Sequence, residues 1–305
     1  MLFAYQLPIF SVIFPSCFMK PILTIILVLI SATAFSQIES LQMLERKMAS
    51  QLNIIKTGDE PNRIVASDSM SVLMVEAMNY RGCFEYPFDS LQMGKMTSPD
   101  NVFRIFNWNI PKDDQSHDYQ CFILTQEEEN IYDWTQCKQL TRADEKVHMK
   151  YLTPEKWFGC LYYEIIPMIK GKKGKMAKKK SYTLLGWDGN DKYSTKKIID
   201  VITFNNGEIR FGSPLFKNKR GSPKRVILEY SDEVMVSLKY HPKQKRIVHD
   251  HLAPRDPIMT GVFAYYGPDM TFDAYNLEKG KWVFAEDIDI RLGKDAREFN
   301  DPGEE

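Results

Sequence analysis

Two periodicities divide this chain. Ile38, Leu41, Leu44, Met48, Leu52 and Ile55 recur every three to four residues, the spacing of an amphipathic helix. Thr57-Gly58 and Pro61 are expected to stop it. A second helix is expected from about Ser67 to Tyr80, with Ser67 or Asp68 as its cap and Gly82 at its exit. Met70, Leu73, Met74, Ala77 and Met78 form its apolar face. Residues 83–99 carry Gly, Pro, Asp and Ser and read as a connecting loop.

From Asn101 onward the period shortens to that of strands. VFRIFNW, YQCFILTQ, IYDWTQCKQL, CLYYEIIPMI and SYTLLGW are rich in β-branched and aromatic residues, which suit a pleated surface. IIDVITF and EIRFG flank Asn205-Asn206-Gly207, where Asn and Gly tolerate positive φ. RVILEY, VMVSLKY, RIVHDHL, MTFDAYNL and KWVFAEDI follow, separated by short polar turns. The pattern predicts a mainly β fold, an antiparallel meander closed as a sandwich, barrel or incomplete propeller, with two N-terminal helices. No fixed-period repeat is present, which weighs against a regular propeller.

Met19 to Gln37, MKPILTIILVLISATAFSQ, reads as a secretory signal peptide. Lys20 precedes an apolar run from Ile22 to Ile30, and Ala34-Phe35-Ser36 fits a small-residue cleavage site between Ser36 and Gln37. The run is shorter than the roughly 20 residues that span a bilayer. Met19 is the expected start, with residues 1–18 an upstream extension. A long uncleaved anchor is the alternative. The expected organisation is therefore residues 1–36 removed, 37–97 helical, 98–292 antiparallel β and 293–305 a polar tail. No transmembrane segment is expected after cleavage, and the protein should be exported: periplasmic, outer-membrane-associated or secreted.

Composition narrows the partners. Lys+Arg and Asp+Glu both number 40, so no global field draws nucleic acid or an anionic membrane. Cleavage leaves Cys83, Cys121, Cys137 and Cys160, an even set that permits disulfides in an oxidising compartment without specifying their pairing.

The best candidate chemistry lies in IVHDHLAPRDP. Alternate strand residues share a face, which would place His249 and His251 about 7 Å apart with Asp250 opposite. Neutral imidazoles ligate metals and carboxylates complete such sites. His249, His251 and Asp256 are the candidate ligands, with Asp269 and Asp273 as further carboxylates. No cofactor is expected, and zinc or calcium are the ions such groups would hold. His251 could also act as a general acid or base, since imidazole titrates near neutrality. The competing reading is structural: Asp250 and His251 tie down the chain before Pro254, and Asp269 orders the Gly267-Pro268 turn.

LLGWDGND, KKIIDVITFNNGEIRFG, RVILEYS, DHLAP, YYGPDMTFDAY and KWVFAEDIDIR resemble a family of secreted Bacteroidota proteins of unknown function, over roughly residues 158–291. The resemblance brings neither a fold nor an activity. Its recurrent blocks are D-H-L-x-P, matched by Asp250 to Pro254, and Y-G-P-D, matched by Tyr266 to Asp269. His249 stands where other members carry an apolar or aromatic residue. Any shared role therefore falls on Asp250, His251, Asp269 and Asp273.

Other features have plainer explanations. Asp188-Gly189-Asn190-Asp191 resembles a calcium-loop fragment but lacks the EF-hand spacing, and reads as a tight loop. Lys170 to Lys180 holds seven lysines without interleaved aromatics and reads as a solvated hairpin end. Met43, Met48, Met70, Met74 and Met78 could hold Cu(I), yet methionine at helical spacing is normally core. Trp108, Trp134, Trp157, Trp187 and Trp282 could line a sugar surface or pack a core. No G-x-S-x-G, P-loop, H-E-x-x-H or dinucleotide fingerprint is present. The expectation is a non-catalytic binding or structural module that engages an envelope protein or glycan. The rival is a metal-assisted hydrolase built on His249, His251, Asp256, Asp269 and Asp273.

Overall fold

A computed structural model describes residues 16–128, 131–140, 146–168, 179–218 and 221–290. The lysine-rich stretch up to Lys178 and the polar tail lie outside the described residues. The helical part comes first, with α1 (Ser16–Thr57) packed on α2 (Glu60–Met78). α1 passes through Ser36 and Gln37 without a break, so the expected cleavage point falls within a helix. Among the described residues no helix is long and apolar enough to cross a membrane.

α2 starts earlier than the sequence suggested. Asp59 caps it by accepting a hydrogen bond from the Asn62 N–H at 3.1 Å. Pro61 lies in the first turn, where the missing N–H has no intrahelical partner to lose. Ser67 is consequently not a cap. It is buried in mid-helix, and its Oγ accepts from Trp108 Nε1–H at 2.9 Å. The expected exit at Gly82 is also displaced, because the helix ends at Asn79 and Gly82 sits in a short 3₁₀ turn.

The remainder is β, as the shortened period predicts. β1 (Gly94–Thr97), β2 (Phe103–Pro111), β3 (His117–Glu128) and β4 (Ile131–Cys137) form an antiparallel sheet in chain order. β5 (Leu161–Pro167), β6 (Lys179–Asp188) and β7 (Ser194–Asn205) begin a second sheet, and β8 (Glu208–Phe211) returns along β7. The turn between β7 and β8 has Asn206 and Gly207 at φ 51° and 82°, the left-handed backbone that a two-residue hairpin loop needs. β9 (Phe216–Lys217) leaves for the third sheet, while β10 (Val226–Ser231) pairs antiparallel with β7. β11 (Leu238–His241), β12 (Arg246–Pro254), β13 (Tyr266–Glu278) and β14 (Lys281–Ala285) complete the third sheet, and β9 pairs with β14 in parallel. The sequence pattern missed β1 and the two-residue β9. β1 is four residues long and opens with Gly94-Lys95, too short and too polar to register.

Strand alternation stacks these sheets into layers. Phe106, Trp108 and Ile110 of β2 face the helices, whereas Phe103 and Ile105 face the second sheet. Tyr182 and Leu184 of β6 return that contact. Leu185 of β6 and Ile199 and Val201 of β7 point the other way, into a core with Ile247, Tyr275 and Trp282 of the third sheet. The first two sheets are thus covered on both faces, which explains the nearly continuous apolar runs of β2, β3 and β7. Burying one such Leu or Phe side chain contributes about 1.5–3 kcal/mol. The third sheet ends the stack, and its β12–β13 pair carries the candidate site.

Candidate functional site

β12 and β13 pair regularly up to His249 opposite Asp273 and Asp250 opposite Phe272, and pairing resumes at Leu252 opposite Pro268. His251 alone therefore faces Asp269, Met270 and Thr271. This irregularity breaks the strict alternation that would have set the two histidines side by side. Met270 takes φ 73° at its crest, a left-handed conformation that is strained for a long side chain.

The irregularity turns His251 onto Asp273. The His251 Nδ1–H donates to Asp273 Oδ2 at 2.8 Å. A carboxylate can only accept, so this bond places the proton on Nδ1 and leaves Nε2 outward. His251 Nε2 lies 3.9 Å from Asp269 Oδ2. Asp273 is buried, and its Oδ1 accepts from the Asp287 N–H at 3.1 Å. The Asp273 hydrogen bond, working against partial burial, raises the His251 pKa above its usual value. At Asp269 burial is opposed by two hydrogen bonds from Thr271 and by the His251 charge, and the net effect holds the carboxyl below its usual range.

The other candidates are used elsewhere. Asp250 faces away, and its Oδ2 accepts from the Ser237 N–H at 2.7 Å. Asp256 caps a short 3₁₀ turn by accepting from the Ile258 N–H at 2.9 Å. His249 is buried, with its ring against Phe284 and Tyr275 and its Nδ1–H donating to the Asp250 carbonyl at 2.8 Å. Burial pushes its pKa down. Among the described residues no three His, Cys, Asp or Glu side chains are placed to hold a metal ion. The proposed ligand set of His249, His251 and Asp256 is not assembled. Asp269 does make its expected Asx-type bond to the Thr271 N–H, though inside β13 rather than at a turn.

A cleft of about 390 Å³ adjoins the histidine. Ala253, Pro254 and Arg255 form one wall, Tyr265 to Asp269 another, and Ser231, Glu233 and Val234 a third. Asp269 belongs both to this cleft and to the histidine cluster. The D-H-L-x-P and Y-G-P-D blocks thus converge in space. The segments that supply these walls also carry exposed apolar side chains. Met235, Met270 and Ile258 are 93, 92 and 80 % exposed, and Val262, Phe263 and Tyr265 are exposed as well.

Protein-family models, curated proteins and solved structures offer no match to this chain. The geometry therefore carries the functional argument alone.

The remaining sequence candidates resolve into structure. Asp188 Oδ1 accepts from the Tyr119 hydroxyl at 2.9 Å and the Asn190 N–H at 2.8 Å, and Asp191 Oδ1 accepts from the Tyr193 and Ser194 N–H groups. Those oxygens close a tight loop. Met48, Met70, Met74 and Met78 are buried between the helices and the first sheet, while Met43 is exposed. Trp108, Trp157 and Trp282 are buried, and Trp134 and Trp187 are half-buried. Sequence reasoning missed Glu233, Val234, Arg255 and Tyr265 as cleft residues. No local motif marks them, and only the packing of β10 on the segment before β13 brings them together.

Proposed function

We propose that this chain is an exported, non-catalytic binding module that docks an envelope protein through the apolar rim of the β12–β13 cleft. Export rests on the segment from Met19 to Gln37, and kinship with the secreted Bacteroidota family belongs to the same reading. One observation carries the binding proposal: the three most exposed large apolar side chains of the described residues, Met235, Ile258 and Met270, all fall in the segments that supply the cleft walls, Met235 next to Val234 and Met270 next to Asp269 in sequence. Monomeric proteins rarely leave contiguous apolar surface without a use. Flexible methionines suit a surface that must conform to another chain. Met270 stands at the crest of the β12–β13 irregularity with its side chain 92 % exposed.

The histidine cluster supports a second reading. His251 has an orienting carboxylate on Nδ1 and an Nε2 facing outward beside a cleft, which is the arrangement of a general acid–base group. No serine or cysteine hydrogen-bonds to that Nε2 among the described residues, so a covalent mechanism lacks its nucleophile.

The test is site-directed photo-crosslinking in the cell that makes the protein, followed by fractionation. A crosslinking residue replaces Met270 or Met235, and a control replaces Lys243 at the opposite end of β12. The reading expects a discrete protease-sensitive product beyond the inner membrane from positions 270 and 235 alone. A protease-resistant ladder would indicate a glycan instead. Equal products from position 243, or no product at all, would overturn docking at this rim.

A further inference from the structure

Cys83, Cys121, Cys137 and Cys160 are free thiols, and each is buried. Cys121, Cys137 and Cys160 lie in the core between the first and second sheets, while Cys83 lies under the helices. The β3–β4 register sets Cys121 directly opposite Cys137. Opposed residues of an antiparallel pair project from the same face of the sheet.

Backbone directions identify the kind of pair. The Tyr119 N–H donates to Gln139 Oε1, on the β4 side, and the Gln126 N–H donates to the Val102 carbonyl, on the β2 side. Backbone groups alternate along a strand, so Cys121 turns its N–H and C=O toward β4, as Tyr119 does. Cys121 and Cys137 therefore form a hydrogen-bonded pair, for which the Cα separation is about 5.5 Å. That separation lies within the roughly 4.4–6.8 Å over which disulfides bridge Cα atoms, and closing the bond draws the Cβ atoms in from the wider spacing of a hydrogen-bonded pair. Burial and then the neighbouring Cys137 thiol push the Cys121 thiol up. Cys160 is a poorer partner. Its sulfur is wedged against Gly186, where a Cβ would approach it to 3.0 Å.

We propose that Cys121 and Cys137 are a disulfide-forming pair, and that the bond staples β3 to β4 beneath the second sheet. The two thiols give up two protons and two electrons. An exchangeable disulfide accepts them and becomes two thiols, by way of a mixed disulfide on one of the cysteines. Burial holds the Cys121 thiol protonated in the folded protein, and a protonated thiol does not attack a disulfide. The bond should therefore form while the chain folds, before the second sheet covers the hairpin. This inference is independent of what docks at the cleft.

The experiment refolds the full chain from denaturant in oxidised and reduced glutathione, then alkylates the remaining thiols. Trypsin leaves both cysteines on the peptide Asp113–Lys138, and cleavage after Glu127, Glu128 or Glu129 separates them. The expected result is that the two fragments stay joined until reduced, with Cys17, Cys83 and Cys160 alkylated. The oxidised protein should melt about 5–10 °C above the reduced one, the size expected for closing a loop of about 15 residues. Cys160→Ala should keep the bond and the shift, and Cys137→Ala should lose both. Alkylation of all five cysteines when the refolded wild type is denatured without reductant, or a Cys121–Cys160 bond in place of this one, would overturn the proposal.

Discussion

Two carboxylate–cation pairs occupy opposite situations in this molecule. In the second sheet Arg225 and Asp200 are completely buried, with Arg225 Nε donating to Asp200 Oδ2 at 3.2 Å. Arg225 Nη1 also donates to the Val147 and Lys150 carbonyls, and Asp200 accepts from the Tyr162 hydroxyl and the Val201 N–H. In the third sheet His251 and Asp273 make an equally direct contact, but His251 is half exposed and its Nε2 faces outward. The central pair directs its hydrogen bonds to the loop at 147–150 and the strands around it, with Arg225 Nη2 left buried and unpartnered. The outer pair keeps one nitrogen uncommitted beside a cleft. The difference teaches that the same chemistry is structural where the fold surrounds it and available for recognition where the stack of sheets ends.

The largest effect should come from breaking the central pair. Asp200→Ala leaves a buried guanidinium uncompensated and should cost about 3–5 kcal/mol, read as a lowered denaturant midpoint. A change no larger than at a surface site would mean that the pair is not the anchor described here. Asp273→Ala removes the acceptor of His251 Nδ1 and of the Asp287 N–H, and about 1–3 kcal/mol is expected. Equal losses at positions 200 and 273 would erase the contrast between the two regions.

The third prediction sharpens the contrast within the outer region. His251 is shifted up by its bond to Asp273, and His249 is shifted down by burial. An NMR titration should place them on opposite sides of about pH 6.5, the unperturbed value. The stability contributed by His251 is complete below that pH and is lost as pH rises through its raised folded pKa. The contribution of His249 is complete above that pH and is lost as pH falls through its lowered folded pKa. Asp273→Asn should bring His251 back toward its ordinary value while leaving His249 low. Both histidines titrating together would contradict the geometry.

The smallest effect on stability should be at the rim. Met235→Asp and Met270→Asp should change unfolding free energy by no more than about 0.5 kcal/mol, while removing the crosslink at the cleft. A large loss of stability would show that these methionines serve the fold rather than a partner.

Particular residues show how much was legible beforehand. Asn206-Gly207 announced a hairpin because only certain residues accept positive φ, and that constraint is local. Pro61 was misread as a terminator because its effect depends on whether it falls in the first turn or the interior, which Asp59 decides. The face of His251 was misjudged because the alternation rule assumes an unbroken ladder. Asp269, Met270 and Thr271 are ordinary strand residues in isolation, and only the register with β12 reveals that three of them oppose one. Asp256 looked like a ligand by proximity in sequence, yet its oxygen is taken by the Ile258 N–H two residues away.

The sequence by itself determined the class of fold, because helical and strand periodicities follow from backbone geometry and need no distant partner. It also marked Asp250 to Pro254 and Tyr266 to Asp269 as segments of interest. Tertiary structure alone decided that these segments share a cleft, that His251 rather than His249 faces outward, and that Cys121 meets Cys137. Each of those facts depends on strand register and on which sheet covers which face. Register is set by summed packing over whole strands, so no short stretch of sequence contains it.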